Sequence, residues 1–211
     1  MTNEGERRLL KEAWTIAIET LSWMEMRRLS ERLALTKTVK QLGIDDVDAA
    51  RLAYRLVCET VRLRNFIDKF IDNLLKPDSL STFNLGIQSF LRLYVFQTRL
   101  ANNQNKTGFK EASDIAKLGR SILGWKDFQP IEKILGTLLT QNPKSIFDGV
   151  GDEEKVGLLT FHPTWFVKYC FRLFGRTEAL SMLDGNLRSP PTCIRLNTLK
   201  TDEEQLLERI N

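Results

Sequence analysis

The chain has 211 residues, 42% hydrophobic and 27% charged, the make-up of a soluble globular protein with one core and something extra. A net charge of +4 and a pI near 9.0 permit nucleic-acid contact without requiring it. The cysteines Cys58, Cys170 and Cys193 are odd in number and far apart, which excludes a disulfide framework and a zinc-type spacing and suggests a reduced compartment. The opening "MTNEGERRLL" has no apolar signal core, and the greasiest stretch, Phe83 to Phe96, is interrupted and too short to span a bilayer. A cytoplasmic location with no membrane partner is therefore expected.

Helical periodicity dominates the chain. Leu9, Ala13, Ile16, Ala17 and Leu21 mark one face of a first helix over about residues 5–27. Charged residues accumulate to Lys40 and Gly43 punctuates. Asp45 or Asp46 can cap the next helix, which carries Val47, Leu52, Leu56, Val57 and Val61. Asn65 is placed to cap its continuation, "FIDKFIDNLL". Ser81 or Thr82 opens "FNLGIQSFLRLYVFQTRL", apolar over most of its circumference and so expected to be the central helix. "ANNQNKTG" reads as a polar loop. Lys110 to Leu123 forms a further helix, and so does Trp125 to Gln141, with Pro130 near its first turn or dividing it.

The character changes after Asn142-Pro143. "NPKSIFDGVGDEEKVGLL" is a turn-rich connection with one short helix. "HPTWFVKYCFRLFG" is a helix with Pro163 at its start and Gly175 at its C-terminal cap, and Thr177 to Leu187 forms a neighbouring one. After the rigid joint Pro190-Pro191, Cys193 to Thr198 alternates like a strand. Thr201 and Glu204 then suggest a capping box for a helix carrying Leu206, Leu207 and Ile210. The predicted organisation is an all-α bundle over 1–142, a helical connector over 143–188, and the first strand and helix of an incomplete α+β domain over 189–211.

Three stretches, in this order, resemble one family. "AARLAYRLVCETVRLRNFIDKFIDNLL" with "LGIQSFLRLYVFQTRL" resembles the NusB-like helical domain that opens RNA cytosine-5 methyltransferases of the RsmB/Sun family. "HPTWFVKYCFRLFG" resembles that family's His-Pro-x-Trp connector. "LRSPPTCIRLNTLK" is similar to its passage into the next domain, with Pro190, Pro191, Arg195, Asn197 and Lys200 in the family's places. The resemblance implies a NusB-like fold, an RNA-recognition-like small domain, and, in a full-length parent, methyl transfer from S-adenosylmethionine through a covalent cysteine adduct. The family's Gly-rich cofactor loop and Pro-Cys nucleophile motif do not occur in this sequence. The chain is therefore expected either to be a fragment or to be a short relative without the chemistry, with no catalytic residue, cofactor or metal of its own. "FQPIEKILGTLLTQ" lacks the Asn and the Arg pair of the family's fifth helix, so that contribution to RNA contact is not carried over.

Candidate RNA-contact residues come from basic spacing. At roughly 100° per residue, Arg51, Arg55 and Arg62 fall within about 40° of each other, opposite Leu52, Leu56, Val57 and Val61. Such a stripe suits a phosphate backbone, and arginine adds bidentate geometry. Its plain alternative is a solvated face. Arg92 and Arg99 share a face of the central helix, as its wet edge or paired with acids elsewhere. Lys110, Lys117 and Arg120 repeat along the next helix. In the strand, Arg195 and Asn197 share a face that suits either nucleic acid or a hydrogen-bonded turn, with Lys200 just beyond.

The cysteines read as packing residues. Even the tempting Thr192-Cys193 has no base nearby in sequence for a nucleophile. His162, Pro163 and Trp165 read as structural, with Trp165 anchoring the connector to the helical domain. The leading expectation is the RNA-binding or RNA-positioning N-terminal region of a ribosomal-RNA cytosine-5 methyltransferase, supplying affinity rather than chemistry. Its partners would be RNA, ribosomal by the resemblance, and its own C-terminal methyltransferase domain. The alternatives are a stand-alone NusB-like factor in antitermination or ribosome assembly, and a helical protein-interaction module without RNA.

Overall fold

The apolar stripe of the first helix is buried as its spacing requires. Ala13, Trp14, Ile16, Ala17 and Leu21 are all within the core, on a helix α1 that runs Asn3–Arg27. In the computed structural model residues 3–101, 108–188 and 193–210 are described. Residues 102–107 of the expected loop and the Pro190-Pro191 joint with Thr192 lie outside them.

Helix α2 (Glu31–Leu42) is a separate element, which the accumulating charges had hidden. Arg28 takes a left-handed φ of 52°, the chain turns, and α2 starts after Ser30. Gly43 closes it in the left-handed region (φ 61°), its N–H donating to the Val39 carbonyl, a geometry that favours glycine. Asp46 caps α3 (Val47–Arg62), its carboxylate accepting from the Asp48 and Ala49 N–H groups at 2.9 and 3.0 Å. Helix α4 (Arg64–Leu75) follows at once, so Asn65 lies inside it rather than capping it. Its side-chain amide instead donates to the His162 carbonyl at 2.8 Å.

Helix α5 (Leu85–Val95) is the central helix, with every residue from Ser89 to Val95 buried. Its cap is Asn84, whose side chain accepts from the Ile87 N–H, and not Ser81 or Thr82, which belong to a 3-10 turn at Leu80–Thr82. The helix widens into a π-helical segment at Phe96–Leu100. Phe90 is the hub of the core, with ring centroids 6.0 Å from Trp14, 5.5 Å from Phe128 and 6.1 Å from Tyr94. Helices α6 (Phe109–Leu123) and α7 (Trp125–Thr140) pack against each other and against α5. Pro130 sits inside α7 just beyond its first turn and does not divide it. A 3-10 turn at Pro143–Phe147 and helix α8 (Asp152–Leu159) complete the connection and pack on α4, where Lys69 meets Glu154 at 2.7 Å.

Helix α9 spans Thr164–Gly185 with a break at Gly175, where φ is 73° and ψ 169°. Helix α10 is Glu203–Ile210. Packing divides the chain into a unit through Tyr169 and a second from Cys170. No strand occurs among the described residues, so the strand expected over 193–198 is not formed. A strand needs a ladder partner, and no second strand occurs among the described residues to supply one. The capping box also shifts by one residue: Asp202, not Thr201, caps α10, its carboxylate accepting from the Gln205 N–H at 2.9 Å. The architecture is an all-α bundle, and among the described residues no helix is long and apolar enough to cross a membrane.

Candidate nucleic-acid interface

Helix α3 is the most strongly two-faced element near the candidate residues. Ala49, Ala53, Leu56, Val57 and Thr60 are buried, while Arg51, Arg55 and Arg62 are exposed. The Asp46 cap fixes the start of the helix and hence the phase of this arginine face. Arg51 pairs with Asp48 at 3.2 Å and Arg62 with Glu59 at 3.6 Å, both one turn back on the same helix. Exposed pairs of this kind contribute little, so the Arg51 guanidinium can exchange its carboxylate for a phosphate at small cost. The same holds on α6. Lys110 is exposed, Lys117 meets Asp114 at 3.1 Å, and Arg120 meets Glu132 at 3.1 Å while lying 4.1 Å from the Trp125 ring centre.

Arg92 and Arg99 do not belong with these residues. Arg92 is 5% exposed and turned inward, its Nε 2.7 Å from Asp68 and its Nη1 3.4 Å from Glu25. Burying a cation on a helix this apolar is tolerated because two carboxylates meet it. Arg99 donates to the carbonyls of Leu139 and Gln141, at the end of α7 where helix carbonyls lack partners. Burial pulls its pKa below the ordinary arginine value. Both arginines hold the bundle together.

In the second unit, Arg195, Asn197 and Lys200 are exposed. The Asn197 side chain accepts from the Leu199 N–H at 3.1 Å, and its carbonyl accepts from the Lys200 N–H at 2.9 Å. Asn197 thus builds a turn, the second of its two readings.

The His162-Pro163-Trp165 segment is structural at its backbone. The His162 N–H donates to the Gly157 carbonyl at 2.8 Å, and the Pro163 carbonyl accepts from Val167 at 3.2 Å to start α9. The His162 ring stacks on Phe166 with centroids 5.5 Å apart, and burial lowers its pKa. Trp165 is 69% exposed, so it does not anchor the connector to the bundle. Its position puts it on the solvent face of α9, opposite the buried Val167.

Cys170 is buried and Cys58 half-buried, and burial pushes the Cys58 thiol up, away from the thiolate a nucleophile needs. Among the described residues no group of three or more His, Cys, Asp or Glu is placed to hold a metal ion.

One feature escaped the sequence reading. A groove of about 990 Å³ opens between α1 and α6, with Leu10, Trp14, Leu52 and Leu118 in its lining and Arg7 and Lys11 on the α1 wall. The i, i+4 spacing of Arg7 and Lys11 was visible, but only packing shows that α6 faces them.

The fold and surface define an all-α bundle with an exposed arginine face, followed by a second small unit. The chain is similar to the N-terminal part of RsmB/Sun-type methyltransferases. The family model for the ferredoxin-like domain of RsmF/B-like methyltransferases matches residues 162–211. A curated relative, the "Probable ribosomal RNA small subunit methyltransferase B" of Bacillus subtilis (strain 168), is 25% identical over 200 residues, 92% of this chain and 42% of that protein. The crystal structure of PH0851 is 14% identical, with a TM-score of 0.62 over 94% of this chain and 43% of that one. A chain in a crystal structure of a plectonemic RNA supercoil is 22% identical, with a TM-score of 0.54 over 68% of this chain and 99% of that one. These two likenesses show the fold, an all-α bundle. The chain spans under half the length of the curated relative it matches.

Proposed function

We propose that this chain is the RNA-positioning N-terminal region of an S-adenosylmethionine-dependent ribosomal-RNA cytosine-5 methyltransferase acting in the cytoplasm. The observation that carries the reading is the match to a small-subunit rRNA methyltransferase over 92% of the chain. The α3 surface supports it: Arg51, Arg55 and Arg62 are exposed on one face, and Arg51 pairs with Asp48 and Arg62 with Glu59 along the helix. Lys110, Lys117, Arg120, Arg195 and Lys200 are further exposed cations on the candidate surface.

The chain's part in the reaction is affinity and orientation. Arginine forks on α3 would clamp successive phosphates, and the rigid bundle beneath them would fix the angle at which the RNA leaves. A deep A-form major groove is closed to side chains, so looped or single-stranded RNA is the form this surface can engage. The described residues do not fit S-adenosylmethionine, because no strand among them leads into a glycine-rich turn. No step of methyl transfer is assigned to them.

Filter binding with a small-subunit rRNA fragment tests the reading. Retention should be strong at low salt and fall steeply as salt rises. Weak, salt-insensitive retention would remove both this reading and that of a stand-alone RNA-binding factor. The second of these is kept by one observation, that 68% of this chain matches 99% of the length of another.

A further inference from the structure

We propose that the groove between α1 and α6 is a docking site for an amphipathic helix of a partner protein, one with acidic residues along one flank of its apolar stripe and basic residues along the other. The inference does not rest on the RNA reading; the groove includes Lys117 but none of the α3 arginines.

The groove has the floor such a helix needs. Trp14 closes its base, being 2% exposed, and Leu10 stands on its edge, 43% exposed. Leu52 and Leu118 lie between these extremes, half-buried, so the apolar floor is open rather than sealed. A volume of about 990 Å³ is at the upper end for small-molecule pockets. It is flanked by α1 and α6 with Leu52 and Leu56 of α3 also in its lining, and an apolar stripe of i, i+3, i+4 and i+7 side chains suits such a floor.

The walls decide the partner's chemistry. Arg7 and Lys11 sit one turn apart on the α1 wall, and Glu111 and Asp114 one turn apart on the α6 wall. A rim of one sign would suit a polyanion or a polycation. A rim basic on one side and acidic on the other suits a helix whose two flanks carry opposite charges, as flanking positions set partner choice in coiled coils. Glu6 and Lys117 run against the pattern, and Lys117 is tied to Asp114 at 3.1 Å. Inside the groove nucleic acid is disfavoured, because a phosphate against this stretch of the α6 wall would meet Glu111 and Asp114.

The test uses the whole chain and three synthetic helix-forming peptides with one leucine stripe in common. One carries Glu on one flank and Lys on the other, one Lys on both flanks, and one Glu on both. Fluorescence anisotropy should rank the mixed peptide tightest, by about threefold to tenfold over the other two. The double variant Arg7→Glu/Lys11→Glu, confined to exposed positions, should move the preference to the all-Lys peptide. Leu10→Asp should weaken all three at least about tenfold, a change readable as long as the thermal midpoint holds. Equal affinities, or no binding by any peptide, would overturn the proposal. So would displacement of the mixed peptide by an rRNA oligonucleotide, which would hand the groove to the RNA surface.

Discussion

Asp68 holds the buried guanidinium of Arg92 with both carboxylate oxygens, at 2.7 and 3.1 Å. The pair extends into a network, because Arg64 contacts Asp68 at 3.1 Å and also reaches Glu25, which Arg92 meets at 3.4 Å. Residues of α1, α4 and α5 are thereby tied at one point beside the core. Removing one partner of a fully buried pair costs roughly 3–5 kcal/mol. Here Glu25 and Asp68 are partly exposed and Arg64 remains to neutralise them. Arg92→Ala should therefore cost about 2–4 kcal/mol in urea unfolding, whereas Arg51→Ala, on the exposed face, should leave the midpoint unchanged. An Arg92→Ala protein as stable as the parent would mean the network adds nothing.

Gly119 is where α6 comes closest to the core aromatics. A β-carbon there would run into the rings of Phe90 and Phe128. Gly119→Ala gains up to about 1 kcal/mol in helix propensity, but overpacking costs typically 1–3 kcal/mol. The net should be a lower thermal midpoint, with disturbed packing visible in near-UV circular dichroism. A higher midpoint would show that Phe90 can move aside.

His162 gives the stability a pH dependence of known sign. It is the single histidine in the chain, and burial depresses its folded-state pKa below the ordinary value of about 6.5. A depressed pKa means the folded state prefers the neutral ring. Its contribution is therefore fully present above about pH 6.5 and is lost as pH falls through the folded value. The parent should lose more stability between pH 7.5 and 5.5 than His162→Asn does. Equal losses in the two proteins would remove His162 from the account.

Residues 193–197 have no ladder, while the turn just after them is hydrogen-bonded at Leu199, Lys200 and Thr201. In a dilute monomer the amides of Ile194 and Leu196 should exchange with solvent at near-intrinsic rates, and those of Lys200 and Thr201 more slowly. Slow exchange at Ile194 would mean that the segment is paired after all.

The core was legible because periodicity reports burial directly. Leu9 to Leu21 and Phe83 to Phe96 gave α1 and α5 their faces before any packing was known. Helix ends were less legible, since a cap is set by backbone turns that several polar residues can serve. Asp46 was among the residues expected to cap α3, but Asn84 took the place of Ser81 or Thr82, and Asp202 that of Thr201. The cations divide on the same principle. Spacing put Arg92 and Arg51 on faces of their own helices, but only tertiary packing showed that Asp68 and Glu25 wait for one and solvent for the other. Trp165 failed as an anchor because an apolar residue on a helix does not say which side its neighbours lie on.

The most direct test of the account is the salt dependence of rRNA binding by the parent and by Arg51→Ala/Arg55→Ala/Arg62→Ala. Each phosphate contact on a single strand contributes a slope of about −0.7 in log affinity against log salt concentration. If these arginines clamp phosphates, the triple variant should bind more weakly at low salt and its slope should be shallower by about 2. An unchanged affinity and slope would show that α3 is only a solvated face, and the RNA-positioning role would lose its site.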